Sequence, residues 1–264
     1  MQTQFNVNQA DALVSGATLD DENLLAKANL YRFFAESFEE PSALTALDSE
    51  SCELLLESAA TTNDRSVVAS MVQAVSTVSG SSVEERLKEW RASFGRPAST
   101  ELPPYSSRYG TTDLGAGFRE MQELADVAGY YRAFGVQLTQ EFADRPDHAA
   151  CELEFLALLC GRELAAIGDE SDNAEIAREA RRSFLRDHLG PFAFGFSEAL
   201  SRRGASGVYG PVSEALRAFV TNEFAHLSLD VPTAIQVRNP MPAEAPLDAN
   251  ELPTLESAAT HLEV

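Results

Sequence analysis

Apolar residues recur along this chain with the period of a helix and almost nowhere with the alternation of a strand. Leu24, Ala28, Tyr31, Ala35 and Phe38 follow one another in steps of four and three, a single stripe that predicts a helix capped by Asp20 or Asp21 and ended by Pro41. Leu54, Leu55 and Leu56 mark a second helix, and Val67, Met71, Val75 and Val78 a third, running from Asp64 to Gly80. Ser82 with Glu85 three residues on is a capping box for a fourth, whose Val83, Leu87, Trp90 and Phe94 share a face. From Gly95 to Thr112 the pattern breaks: Pro97, Pro103, Pro104 and Gly110 surround Tyr105 and Tyr109, which predicts a long ordered loop or hinge, and a hinge permits domain swapping.

Helical spacing returns with Phe118, Met121, Ala125 and Ala128 as far as Gly135. A helix apolar on all sides is predicted from Pro146 to Ile167, which places it at the centre of the fold. Asp172 with Glu175 opens another, expected to end near Gly190–Pro191; a short helix through Phe196 and Leu200 and a last one from Pro211 follow. The reading is an all-α fold, one globular domain of eight to ten helices over residues 21–228, preceded by a flexible arm, 1–20. After Leu229, Pro232, Pro240, Pro242, Pro246 and Pro253 and a run of acids predict a loose C-terminal tail, 229–264.

Charge narrows the function. The 264 residues carry 41 Asp and Glu against 20 Lys and Arg, a net charge of −21, which repels nucleic-acid phosphate. No apolar run approaches the roughly 20 residues that span a bilayer, and the first basic residue, Lys27, comes too late for a secretory signal. Cys52, Cys151 and Cys160 lack the spacing of a disulfide framework or a zinc knuckle, so a reducing cytoplasm is the expected location. Gly115 and Gly117 form a bare GxG without the rest of a phosphate loop, so no nucleotide cofactor is expected.

The densest polar cluster, Asp147, His148, Cys151, Glu152 and Glu154, sits at the start of the most apolar helix. His148 and Glu152 are one helical turn apart and Cys151 is close by, but a single such pair supplies too few ligands for a metal, and none is expected. The competing reading from the residues alone is a metal-dependent hydrolase using 147–154. The plain readings are an acid favoured by the helix dipole for Asp147, a core histidine for His148, and core aromatics for Trp90, Tyr105 and Tyr109.

Two segments together resemble a known family. Pro103-Pro104-Tyr105-Ser106-Ser107-Arg108-Tyr109 is similar to the aromatic-x-Ser-x-aromatic loop of the TorD/DmsD/NarJ redox-enzyme maturation chaperones, which include nitrate reductase delta-like proteins. Arg145-Pro146-Asp147-His148 followed by Glu152-Leu153-Glu154-Phe155-Leu156 resembles their PDH…ELEFL segment. Ser106 stands where the family often has an acid.

The resemblance implies an all-helical cytoplasmic chaperone that performs no catalysis and holds no cofactor. Its partner would be the catalytic subunit of a DMSO-reductase-type molybdoenzyme, bound through its twin-arginine leader until the molybdopterin is inserted, with molybdenum cofactor biosynthesis proteins as further partners. A structural delta-like subunit retained in the finished complex is the other reading, and the protein itself would be a monomer or dimer. Carried over by motif, Asp147 and His148 match residues implicated in leader binding, Tyr105, Ser107 and Tyr109 the adjoining loop, and Trp90 an aromatic near the same pocket. Glu154 is a further carboxylate for the leader's guanidinium groups.

Overall fold

The computed structural model describes residues 19–42, 46–94, 102–110, 116–138, 145–167, 172–202, 207–232 and 236–237. Among them are nine α-helices: α1 (Leu19–Phe38), α2 (Ser49–Thr61), α3 (Arg65–Gly80), α4 (Val83–Ser93), α5 (Ala116–Ala133), α6 (Ala149–Ala165), α7 (Asn173–Phe184), α8 (Gly190–Arg202) and α9 (Tyr209–His226). The protein is all-α, as its apolar period predicts. The exception is a two-residue antiparallel ladder, β1 (Tyr109–Gly110) with β2 (Gln236–Val237). Most of the predicted N-terminal arm lies outside the described residues.

Local signals set several helix starts. Asp64 accepts from the backbone N–H groups of Ser66 and Val67 at the start of α3, and Ser82 and Glu85 form both halves of the capping box of α4. Asp20 and Asp21 lie inside the first turn of α1 rather than before it. Asp172 precedes α7 without a capping hydrogen bond from its side chain.

The largest departure lies between α7 and α8. The chain does not stop at Gly190–Pro191; it passes through Leu185–Leu189 as a π-helical turn and continues as α8. Proline within an α-helix clashes with the carbonyl four residues earlier, and the wider turn, in which the Gly190 N–H reaches the Leu185 carbonyl, accommodates Pro191. Gly190 also admits α9, since a Cβ there would stand 2.6 Å from the Phe224 ring.

Helix α6 is central, with only Glu154, Arg162 and Ala165 exposed. It packs most extensively on α1 and then on α7, while α9 packs on α3 and α8. Aromatic rings fill the seams: Tyr31 meets Phe219 edge-on at 4.8 Å, and Phe38 lies against Phe192 and Phe196 at 5.4 and 5.2 Å.

At the heart of this packing is a group of buried charges. Glu223 of α9 accepts from Lys27 and Tyr31 of α1 at 2.7 and 3.0 Å and from Arg181 of α7 at 2.7 Å. Arg181 also pairs with Glu163 of α6 at 3.1 Å. One interconnected set of ion pairs therefore ties four helices together.

Glu89 of α4 reaches across the fold to accept from the backbone N–H groups of Val208 and Tyr209, at 2.8 and 3.2 Å, and so caps α9 from 119 residues away. Gly207, with φ of +105°, makes room for that carboxylate.

Candidate functional site

The loop 102–110 is stitched to the start of α6. The Ala149 N–H donates to the Pro104 carbonyl at 2.8 Å, the Ser106 N–H donates to the Asp147 carbonyl at 2.9 Å, and Tyr105 forms a β-bridge with His148. A turn of 3-10 helix, Ser106–Arg108, then leads into β1. Two motifs about 40 residues apart in sequence thereby become a single surface.

Helix α6 begins at Ala149, three residues later than Pro146 suggests, because Pro146 and Asp147 occupy the turn before it. His148 is the N-cap: its Nδ1 accepts from the Ala150 N–H at 3.2 Å, and its ring meets Tyr105 edge-on at 5.6 Å. Asp147, 0% exposed, is therefore not a first-turn acid facing the helix dipole. Arg145 clamps it with two hydrogen bonds, Nε to Oδ1 at 3.0 Å and Nη2 to Oδ2 at 2.9 Å, and the Ser107 hydroxyl donates to Oδ2.

The same guanidinium donates to Glu120 of α5 at 2.6 Å and lies 4.9 Å from the centre of the Tyr105 ring. Burial works against its charge, yet the bonds to Asp147 and Glu120 hold the Arg145 pKa above the ordinary arginine value. A guanidinium seat built from a buried carboxylate, a hydroxyl, a second acid and an aromatic face thus exists, with the chain's own Arg145 in it. Arg145 belongs to the Arg145-Pro146-Asp147-His148 motif, but only the fixed turn before α6 shows its role.

Of the sequence-predicted site residues, Tyr105, Ser107, Asp147 and His148 are brought together. Tyr109 stands beside them but turns into the core, donating to the Pro103 carbonyl at 2.9 Å and meeting Phe192 edge-on at 5.3 Å. Trp90 lies elsewhere, its Nε1–H donating to the Phe38 carbonyl at 3.0 Å and its ring against Phe94. Glu154 is on the exposed side of α6, where it acts on Glu36 and Glu39 of the α1 C-terminal region. Desolvation along this seam raises all three carboxyls; repulsion from Glu154 adds to the rise of Glu36 and of Glu39, which reaches about 7, while Arg32 opposes the rise of Glu36 and Glu154.

Glu152 is fully buried and accepts from the Ser106 hydroxyl, while its Oε2 has no hydrogen-bond partner among the described residues. Desolvation pushes its pKa well above the ordinary carboxylate range, the Ser106 bond opposes this, and Asp147 and Glu123 add to the rise. Burial thus biases this carboxyl towards its protonated form, and the Ser106 hydroxyl is its hydrogen-bond partner in the loop.

The folded protein keeps this proton over a pH range in which the unfolded chain, with a pKa of about 4.3, has lost it. The proton is bound in both states below that value, so the contribution is full there and declines as pH rises towards the folded pKa. Glu152→Gln removes the decline. As pH rises above about 5, wild type is expected to lose stability relative to the variant, by at most about 1.4 kcal/mol per pH unit, read as a widening gap in melting temperature. Parallel melting profiles would show that Glu152 is ionised in the fold.

Among the described residues, no three His, Cys, Asp or Glu side chains are placed to hold one metal ion. In the cluster at 147–154, His148 caps α6, Asp147 is held by Arg145 and Ser107, and Glu152 accepts from Ser106. No helix among the described residues is long and apolar enough to cross a membrane.

With this geometry in place, comparison with known proteins identifies the class. A sequence model described as nitrate reductase delta subunit matches residues 55–198, more than half of the chain. The chain belongs to this family, within the TorD/NarJ group.

Among its relatives is the selenate reductase assembly chaperone protein of Thauera selenatis, 40% identical over 89 residues, 33% of this chain and 46% of that protein. The chlorate reductase assembly chaperone protein of Ideonella dechloratans is 39% identical over 89 residues, again 33% and 46% of the two chains. The chaperone protein TorD of Vibrio cholerae serotype O1 (strain M66-2) is 29% identical over 122 residues, 46% of this chain and 52% of that protein. The chain spans about half the length of the curated relatives it matches.

Proposed function

We propose that this protein is a cytoplasmic, non-catalytic assembly chaperone for the catalytic subunit of a molybdoenzyme. It binds the leader or N-terminal segment of that subunit where loop 102–110 meets the start of α6, and holds the subunit until its molybdopterin cofactor is inserted. The observation that carries this reading is the family match over residues 55–198 together with relatives named as reductase assembly chaperones. Molybdenum cofactor biosynthesis proteins would meet it on the same client.

The site chemistry supports the same ligand. A twin-arginine leader presents guanidinium groups beside an apolar stretch, and its receptor needs carboxylates next to apolar surface. Glu154, Glu36 and Glu39 provide acids along the α1–α6 seam. The Asp147–Glu120–Tyr105 seat is filled by Arg145, which fixes the loop beside these acids. The net charge of −21 would speed capture of a cationic peptide and make that capture salt-dependent.

The test is a pull-down from the native cytoplasm at native salt, with bound proteins identified by mass spectrometry. A molybdenum-enzyme catalytic subunit enriched in its cofactor-free precursor is the expected result. Recovery only with the active, cofactor-loaded enzyme would overturn it in favour of a retained delta-like subunit. Recovery of no molybdoenzyme at all would remove the chaperone reading.

A further inference from the structure

The sequence predicts a loose tail after Leu229, yet among its described residues Gln236 and Val237 return to the body. Gln236 and Val237 pair antiparallel with Gly110 and Tyr109, and β2 also packs against α8. The strand it joins follows directly on Ser106–Arg108, the turn whose Ser107 bonds Asp147 and whose Ser106 bonds Glu152. Whatever pairs with Tyr109–Gly110 therefore lies next to the Arg145 seat.

Backbone pairing of this kind is tolerant of sequence: an extended peptide of another protein can add to the same edge, with side chains supplying only selectivity. The composition of the tail points to what it stands in for. Ile235-Gln236-Val237-Arg238 is β-branched and basic, and Arg238 is the one Lys or Arg after Leu229, whereas the remainder carries Asp230, Glu244, Asp248, Glu251, Glu256 and Glu263. In sequence, the stretch around Gln236–Val237 is the part of the tail most like a cationic, apolar client peptide. Its hold is weak, because a two-residue ladder contributes only a few modest hydrogen bonds and is sustained by tethering within one chain.

We propose that the Tyr109–Gly110 edge is a docking strand for an extended segment of the client's leader, and that Gln236–Val237 of the tail holds it closed until the client displaces it. This rests on the leader-binding reading above. Client affinity is then reduced by the fraction of molecules in which the tail occupies the edge.

The test uses the full-length chain and a fluorescein-labelled synthetic peptide with two adjacent arginines followed by roughly 12 apolar residues. The double variant Q236P/V237P removes both backbone donors of β2. It is expected to bind the peptide about three- to tenfold more tightly than wild type. An equal or weaker affinity overturns the proposal.

A second variant, G110C/Q236C, places cysteines directly opposite one another across the ladder. Oxidation should weaken binding at least about tenfold and reduction should restore it. Because the comparison is made within one protein, a folding defect does not imitate it, and an affinity insensitive to oxidation overturns the proposal. If the peptide binds all of these proteins alike, only the role of the tail falls; if it binds none in any state, leader binding itself falls.

Discussion

Replacing Glu223 by alanine is expected to lower the stability of the folded protein by about 4 kcal/mol, within the range for removing one partner of a buried charge group. Lys27 and Arg181 are both buried and both point at this carboxylate. Glu163 would remain to face Arg181, at 3.1 Å, but Lys27 has no other ion-pair partner among the described residues. Tyr31, whose hydroxyl donates to Glu223 and whose own pKa is pushed well up by burial and by that charge, would lose its acceptor.

Burial opposes the ionised form of Glu223, yet Arg181 and Lys27 outweigh it and hold its pKa below the ordinary glutamate value. The stability it contributes is therefore present above that ordinary value and lost as pH falls through the depressed one. Urea unfolding of Glu223→Ala at neutral pH should show a reduced midpoint with an unchanged slope. A loss under about 1 kcal/mol would mean that water reaches the charges and the group is not a tie between helices.

That tie was invisible in the sequence, and the reason is physical. Lys27, Glu163, Arg181 and Glu223 each read as polar positions on amphipathic helices, and residues of these types are seldom fully buried unless paired. Only the packing of α1, α6, α7 and α9 brings the partners together. The cap of α9 by Glu89 was hidden for the same reason, since its two halves are 119 residues apart.

By contrast, the capping box of Ser82 and Glu85 and the cap by Asp64 depend on neighbours within three residues, so the sequence displayed both. The stop expected at Gly190–Pro191 failed between these extremes. The breaking tendency of proline is local, but its accommodation by a π-helical turn involves the close approach of Phe224 from another helix.

The candidate site divides along the same line. Motif order placed Tyr105, Ser107, Asp147 and His148 together, and backbone hydrogen bonds between loop and helix account for the join. Trp90 carried the same sequence signal but is directed by its bond to the Phe38 carbonyl into a different aromatic group. Sequence also suggested that Asp147 offers an open carboxylate to a leader. The structure puts Arg145 on that carboxylate, a contact that spacing alone does not reveal because residues two apart meet only when the turn between them is fixed.

Asp147→Ala therefore has an expected effect of a different kind from the loss of a surface contact. Arg145 would keep Glu120 at 2.6 Å but lose both bonds to Asp147, and the Ser107 hydroxyl would lose its acceptor. Arg145 is one-third exposed, so the cost falls at the low end for a broken buried pair, about 3 kcal/mol. Arg145→Gln leaves Asp147 buried without its cation and is expected to cost a similar amount. The double variant should cost clearly less than the two losses added together, because each single change leaves the other's partner stranded.

The consequence for leader binding follows from the same contacts. Asp147 and Arg145 hold Ser107 and Tyr105 in place, so either single variant, measured at a temperature where it remains folded, should bind the arginine-bearing peptide at least about tenfold more weakly, while its helical content is kept. Tighter binding by Arg145→Gln would overturn this positioning role, because it would show that the leader's own arginine takes the seat once it is vacated.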